Sequence, residues 1–530
     1  MSSLLRKAAQ KLEESRPSRG SPKMKDSTVL PGSRLALSLE QAASDDERKA
    51  LVRGIYRHRK QYGVNLGSLF ALEPWLVPSL FTGIVSASSE MDLLSATGAD
   101  SLNRLQTHWQ QFIDDGDFQW MRGHGINTIR LPISYAAFAA SQAPDLLRGT
   151  EYENFAEIYR TAWTSVDQII RKAATHQIGV LIDLHCAPGG QNADGHSGLS
   201  GAPLAFWQGP RADWNRERTI EILLRIAERL SVTEYDNVVG LELLNEPKND
   251  GRLQAWYERA LDAIRRQNID LPIYIGDAWD ANHYSGWLAQ RSDFVVLDHH
   301  CYRCFTDADH RTSADQHAST MTHPHGHMHQ ALESWSSRAA GGKGGGIRGG
   351  NLIIGEWSAA LNLRSFGGSD APSATSKQTQ WAQAQLQCYN RNTAGWYLWT
   401  LKKEGPPDAG WCLYSAVEAG VLPRMLSESR SAAPPSNALQ AAQAQATTSH
   451  ESYWSQHDRG VLSQSWRFKE GFRQGLTDAH TFWSFGRSAV GFRNQWCHAR
   501  LLQHQHDNGK EQSWQFAHGM SQALDAFATA

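Results

Sequence analysis

Cysteine is scarce, with six in 530 residues. That is too few to staple a chain of this length, so a buried core rather than a disulfide framework must hold the fold. Net charge is nearly absent: Lys+Arg 52 against Asp+Glu 54 leave -2. A surface so balanced has no broad attraction for nucleic acid or anionic membrane, and neither is expected as a partner. No apolar run reaches the roughly 18 residues that a membrane span requires. The opening stretch, MSSLLRKAAQKLEESRPSRG, lacks an apolar h-region and mixes Glu13 and Glu14 with its basic residues, which leads us to expect a cytoplasmic protein without a secretory signal. Cys301 and Cys304 form one CxxC with no second pair at zinc-site spacing. A metal or redox role there stands against plain burial.

Tryptophan, by contrast, is abundant, at 20 residues. Either a large core uses it, or some of it forms a surface that stacks on flat apolar faces such as sugar rings.

Residues 1–60 are polar, with amphipathic helices expected at 3–14 and 38–59. From Tyr62 onward, short apolar runs alternate with helical patterns. The runs are 62–66, 127–133, 179–185, 238–247, 272–280, 294–302, 352–358 and 395–401, and the helical patterns include 155–176, 215–230 and 253–267. Runs that are apolar throughout are those of strands covered on both faces. Eight β/α units predict an α/β fold, a (β/α)8 TIM barrel over 61–425, with an open doubly wound sheet as the alternative. Segment 306–350 carries six histidines and a glycine-rich end; a metal site, a mobile lid and a surface insertion are its three readings. Residues 426–450, rich in Ala, Gln and Ser, read as a linker or disordered loop. Residues 451–530 contain an internal repeat. Trp466, Phe468, Gly471, Phe472 and Gln474 are echoed by Trp514, Phe516, Gly519, Met520 and Gln522, each copy preceded by His-Asp-x-Gly. The spacing predicts two related helices docked on the barrel.

In such a barrel, reactive groups gather where strands end, at Arg130, His185, Asn245, Glu246, Trp279, His300, Tyr302, Glu356 and Trp399. Glu246 and Glu356 stand out, because an apolar strand ending in a carboxylate needs partners to offset its burial. Two carboxylates on opposite walls suit glycoside hydrolysis, in which one protonates the departing oxygen and the other meets the oxocarbenium-like centre. The acid should keep its proton while the nucleophile is ionised. Arg130 and Tyr302 are placed to hold one carboxylate ionised, Asn245 to bind a sugar hydroxyl and Trp399 to floor the ring.

These residues lie within a longer set of motifs. They are Gly63-Val-Asn-Leu-Gly67, Leu72-Glu73-Pro74-Trp75, Ser79-Leu80-Phe81, Ile129-Arg130-Leu131-Pro132-Ile133, Asp183-Leu184-His185, Pro188-Gly189-Gly190, Leu244-Asn245-Glu246-Pro247, Asp298-His299-His300-Cys301-Tyr302, Ile354-Gly355-Glu356 and Trp396-Tyr397-Leu398-Trp399-Thr400. Over residues 62–415 this order closely resembles the fungal exo-β-1,3-glucanases of glycoside hydrolase family 5, and in particular their intracellular branch. The resemblance implies a retaining β-glucosidase or β-glucanase with Glu246 as acid/base and Glu356 as nucleophile. It also implies that Arg130, His185, Asn192, Asn245, His300, Tyr302 and Trp399 line the sugar subsite and that Glu73 binds the outer hydroxyls. No metal or organic cofactor is expected. The chain departs from the secreted enzymes after strand three, where their aromatic-Asp-Asn before Ser-Gly gives way to Gln191-Asn192-Ala193-Asp194-Gly195-His196-Ser197-Gly198. A β-glucan oligosaccharide, a small β-glucoside and a steryl or lipid β-glucoside are all compatible substrates. An inactive carbohydrate-binding barrel is the alternative from another class. Oligomeric state is open.

Overall fold

The computed structural model describes residues 38–201, 204–232, 234–340, 350–368, 370–428 and 432–530. Eight parallel strands close into a barrel in sequence order: β1 (Gln61–Asn65), β2 (Thr128–Ser134), β3 (Gly179–Cys186), β4 (Val238–Glu242), β5 (Ile273–Gly276), β6 (Val295–Cys301), β7 (Leu352–Trp357) and β8 (Gly395–Leu398). Every strand residue is buried. That accounts for the unbroken apolar runs, since barrel strands have no solvent face. The eight expected strands are all present. Several are shorter than expected, most of all β4 and β5, beyond whose ends Glu246 (φ 40), Ala278 (φ 46) and Trp279 (φ 65) take left-handed rather than extended backbone. The helices Ala162–Thr175, Ala212–Leu230 and Leu253–Arg266 pack their apolar stripes on the outside of the barrel.

The expected helix at 3–14 lies outside the described residues. Helix Asp45–His58, capped by the Ser44 side chain, runs under the barrel and buries Leu51, Ile55 and Tyr56. Tyr56 and Phe492 join Leu181, Val239, Tyr274, Val296, Ile353 and Tyr397 in one apolar cluster. Strand β1 begins directly after this helix, and residue 59 pairs in antiparallel fashion with residue 490. The N-terminal extension and the C-terminal unit therefore meet at the end of the barrel where the strands begin.

Within segment 306–350, residues 306–340 fold into helices Asp307–Arg311, Ala314–Thr322 and His327–Ala339, and the glycine-rich end at 341–349 lies outside the described residues. Three of the segment's six histidines bond to backbone carbonyls, His310 to Cys304, His317 to Asp309 and His329 to Met321, while the His323 ring accepts from the His325 backbone N–H. Most of the tryptophans whose role was open belong to the core. Trp207, Trp256, Trp357, Trp381, Trp396 and Trp496 are fully buried, whereas Trp75, Trp279 and Trp466 are exposed. All six cysteines are free.

The expectation of a linker over 426–450 is corrected by helix Ser436–His457. Alanine and glutamine are strong helix formers. Because His450 is the one buried residue of that helix, no apolar stripe marked it in the sequence. The repeat forms helices Trp466–Ser484 and Trp514–Thr529, which cross at their glycines. A Cβ at Gly471 would strike the carbonyl of Phe516, and one at Gly519 the carbonyl of Phe468. The polar contacts are reciprocal as well. Arg467 bonds to His504 and to the Asn508 carbonyl, while Gln515 bonds to His450 and to the Val461 carbonyl. Among the described residues no helix is long and apolar enough to cross a membrane.

Candidate active site

Arg130 stands on β2 at the centre of the barrel, fully buried. Its guanidinium donates to Glu242 (2.8 Å), Glu356 (2.8 Å), Asn245 (2.8 Å) and Asn65 (3.1 Å), and lies 3.0 Å from Asp183. Burial works against its charge, but Asp183, Glu242 and Glu356 outweigh burial and raise its pKa well above the usual value. The carboxylates respond in kind. Burial raises Asp183 to about 7, against the pull of Arg130, and raises Glu242 further. One cation thus fixes groups from β1, β3, β4 and β7 at once.

Glu356, at the end of β7, is held at both oxygens. Oε1 accepts from Arg130 (2.8 Å) and Oε2 from the Tyr302 hydroxyl (2.7 Å). Glu246 lies across the pocket from it. Its Oε1 contacts His300 Nδ1 at 2.6 Å, its Oε2 lies 3.4 Å from His196 Nε2, and its backbone carbonyl accepts from Asn192 Nδ2 at 2.9 Å. Glu246 is left-handed, a costly conformation for a non-glycine residue that the surrounding bonds must maintain. His300 reaches both glutamates because the β6–β7 register shifts between His299 and His300, setting His300 opposite Glu356. One donor atom from each of Glu246, His300 and Glu356 lies within 4.8 Å of the others.

The electrostatics oppose the simple expectation of a protonated acid and an ionised nucleophile. Burial alone would raise Glu246, but the hydrogen bond from His300 and the charges of His300, His196 and His185 hold it at about 2. Burial raises Glu356, against His300 and Arg130. His300 itself, although burial disfavours its charge, is raised well above 6.5 by Glu356, Asp298 and Glu246. Geometry supplies the reason for the asymmetry: His300 Nδ1 is 2.6 Å from Glu246 but 3.4 Å from Glu356. The proton of this trio is therefore stored on His300, one short hydrogen bond from Glu246.

The remaining expected residues converge on the same pocket. His185 donates from Nδ1 to Asp183 (2.7 Å) and stacks on Trp399 with centroids 5.7 Å apart and planes 9° apart. Burial drives its pKa well down, which keeps it neutral. Asn245 bridges Arg130 and the two histidines His185 and His196. Burial raises Glu73 to about 7; one of its oxygens accepts from the Trp75 indole (2.9 Å). Asn192 differs from the others: its amide is committed to the Glu246 carbonyl and to the Asp194 backbone, so it braces the wall of the pocket. The mouth is aromatic. Trp411 packs against Trp75 (5.4 Å), Tyr302 (5.5 Å) and Phe305 (5.9 Å), while the exposed Trp279 stands edge-on to His300.

Sequence reasoning gave no site role to His196, Asn65, Asp183, Glu242, Asp298 or Trp411. Asp183, Glu242 and Asp298 were visible as charges within otherwise apolar strands; the stretch holding His196 stood out as a departure, but nothing in it pointed to Glu246. Among the described residues, two groups present metal-type donors, Glu242–Asp298–His300 and Glu246–His300–Glu356. Arg130, 2.8 Å from Glu242 and 3.9 Å from Asp298, already supplies the cation to the first, and the His300 N–H lies between the carboxylates of the second.

A sequence model of the family described as "Cellulase (glycosyl hydrolase family 5)" matches residues 94–405, and one described as "Glucan 1,3-beta-glucosidase 3 C-terminal domain" matches 436–530, starting where helix Ser436–His457 begins. The chain is 29% identical over 482 residues to "Glucan 1,3-beta-glucosidase 3" of Schizosaccharomyces pombe, covering 88% of this chain and 95% of that protein. It is 30% identical to "Probable glucan 1,3-beta-glucosidase A" of Aspergillus clavatus, covering 68% of this chain and 86% of that protein. Among solved structures, the rutinosidase from Aspergillus niger shares the fold, with a TM-score of 0.52, 17% identity, and coverage of 69% of this chain and 98% of that one. With two glutamates facing each other across a closed eight-stranded barrel, and with these matches over most of its length, the chain belongs to glycoside hydrolase family 5.

Proposed function

We propose that this hydrolase removes terminal β-D-glucosyl residues with retention of configuration, in the manner of an exo-β-1,3-glucanase or β-glucosidase. The observation that carries the reading is the short approach of Glu246 and Glu356 around His300, within 4.8 Å. Retaining enzymes hold their carboxyls about 5–5.5 Å apart, whereas inverting enzymes leave room for a water between them. Glu246, supplied through His300, gives its proton to the glycosidic oxygen as the C–O bond breaks. Glu356 Oε then bonds to the anomeric carbon, with Arg130 and Tyr302 having held it as the anion. In the second half, Glu246 takes a proton from water, the resulting hydroxide displaces Glu356, and glucose leaves as the β-anomer. The names of the curated relatives favour a 1,3-linked glucan as substrate.

A second reading has an observation of its own. The aromatic mouth of Trp75, Phe305, Trp411 and Trp279 offers flat apolar walls next to the pocket, which suits an apolar aglycone such as that of a steryl β-glucoside. Product analysis by NMR on laminaritriose and on a steryl β-glucoside, in parallel, separates the two. β-Glucose as the first-formed anomer from the trisaccharide supports the first reading, and turnover of the steryl glucoside alone supports the second. α-Glucose as the first product would sink the retaining mechanism.

A further inference from the structure

His196 sits in the loop after β3, yet it reaches the glutamate beyond the end of β4. Its side chain is largely buried, with Nε2 3.4 Å from Glu246 Oε2 and 3.7 Å from Asp194 Oδ2. Its Nδ1 faces Asn245 Nδ2 at 3.3 Å. That contact fixes the ring. Asn245 Oδ1 accepts from Arg130 (2.8 Å), so the amide cannot turn over, and its NH2 must point at His185 and His196. In the neutral ring Nδ1 is then the acceptor and Nε2 carries the hydrogen on the side of Glu246 and Asp194; protonation keeps that N–H but sets an Nδ1–H against the Asn245 amide, a cost the surrounding acids must outweigh. Glu246 consequently has an imidazole on each oxygen, His300 on Oε1 and His196 on Oε2.

Resting on the acid/base reading of Glu246, we infer that His196 is a positioning residue that sets the proton affinity of the Glu246–His300 pair and aims Oε2 into the pocket. The groups facing it are Asp194 from its own loop, Glu246 from the β4 end, Glu73 from the β1 end and Glu356 from the β7 end. Burial opposes a charge on His196, but these acids raise it to about 9. On the other side lie the neutral His185, its ring 5.3 Å away, and the amide of Asn245. A donor or cation on Oε2 favours the ionised carboxylate, so removing it makes the pair hold its proton to higher pH. The alkaline limb of kcat/KM reports that proton.

The experiment is the pH dependence of kcat/KM for 4-nitrophenyl β-D-glucoside and laminaritriose in the wild type, His196→Ala and His196→Asn. The expected result is an alkaline limb displaced upward by about one pH unit in His196→Ala, and by less in His196→Asn, which keeps a donor but no charge. Melting curves confirm that each variant is folded. Limbs that coincide with the wild type while kcat/KM falls uniformly would overturn the inference, leaving His196 a structural or sugar-contacting residue. Because the conservative variant is measured beside the truncation, misfolding of His196→Ala does not decide the outcome. A wild-type chain that hydrolyses no β-glucoside overturns instead the reading of the pocket on which the inference rests.

Discussion

At the end of the barrel where the strands finish, Arg130 lies fully buried among Asp183, Glu242 and Glu356 and holds its proton more tightly than an arginine in water. At the end where they begin, the consecutive residues Arg57, His58, Arg59 and Lys60 are also buried, but apart from the Asp270 carboxylate 3.8 Å from Arg57 their hydrogen-bond partners are backbone carbonyls. Arg59 donates to the carbonyls of Asn127 and Gln177, Lys60 to those of Asn390 and Thr393, and Arg57 to that of Asp270. Burial lowers Arg57 and Arg59 to about 10, Lys60 to about 8 and His58 to about 4. Carbonyl dipoles at helix and loop ends satisfy the geometry of a cation without balancing its charge. Carboxylates balance it, and in doing so they couple every protonation in the pocket to every other. One end of the barrel therefore ties its charged groups to one another, and the other closes the fold.

The sharpest way to break this contrast is to remove a charge from each end. Glu356→Gln keeps the side chain's shape, with an amide oxygen for Arg130 and an NH2 facing the Tyr302 oxygen, but removes the proposed nucleophile. kcat should fall on the order of 10^4-fold or more, with the melting temperature nearly unchanged; near-normal turnover would refute the assignment. Arg130→Met leaves three buried carboxylates without their cation and should cost about 3–5 kcal/mol in denaturant unfolding as well as activity. The matching change at the other end, Arg59→Met, removes hydrogen bonds to carbonyls and should cost about 1–3 kcal/mol while the kinetics stay those of the wild type. Equal losses from the two arginine variants would erase the distinction between the ends.

A finer test uses pH. Lys60 has a folded pKa of about 8 against 10.5 for the unfolded chain, so between these values the unfolded state binds more protons and stability rises with pH. His196, at about 9 against 6.5, acts in the opposite sense: its contribution is intact below 6.5 and is lost as pH climbs to 9. Lys60→Met should flatten the rise seen above pH 8 in a plot of melting temperature against pH, and an unaltered slope would contradict the account of this end. The last test lies outside the barrel. Gly471→Ala forces a methyl against the Phe516 carbonyl and should cost roughly 1–3 kcal/mol. Calorimetry will show whether the C-terminal unit then melts apart from the barrel.

The barrel was legible because strands buried on both faces leave unbroken apolar runs, and the glutamates because a charge at the end of such a run is conspicuous. The true ends of β4 and β5 were not, since left-handed backbone at Glu246 and Trp279 has no signature in those side chains. His196 escaped because a loop residue reaches its partner through tertiary folding alone. Helix Ser436–His457 escaped because alanine and glutamine make a helix that needs little burial.

The reciprocal contacts of the C-terminal repeat carry a consequence for assembly. Phe468 meets Gly519 as Phe516 meets Gly471, and Arg467 and Gln515 each reach across to the other copy's histidine. This is the self-complementary interface of a symmetric dimer, tethered within one polypeptide by residues 485–492. Such a short tether keeps the halves at a local concentration in the millimolar range, so each copy is free to diverge while its partner holds the pairing. Divergence is visible in the two equivalent tryptophans: Trp514 is covered by Trp454 and His450, while Trp466 is left open to solvent.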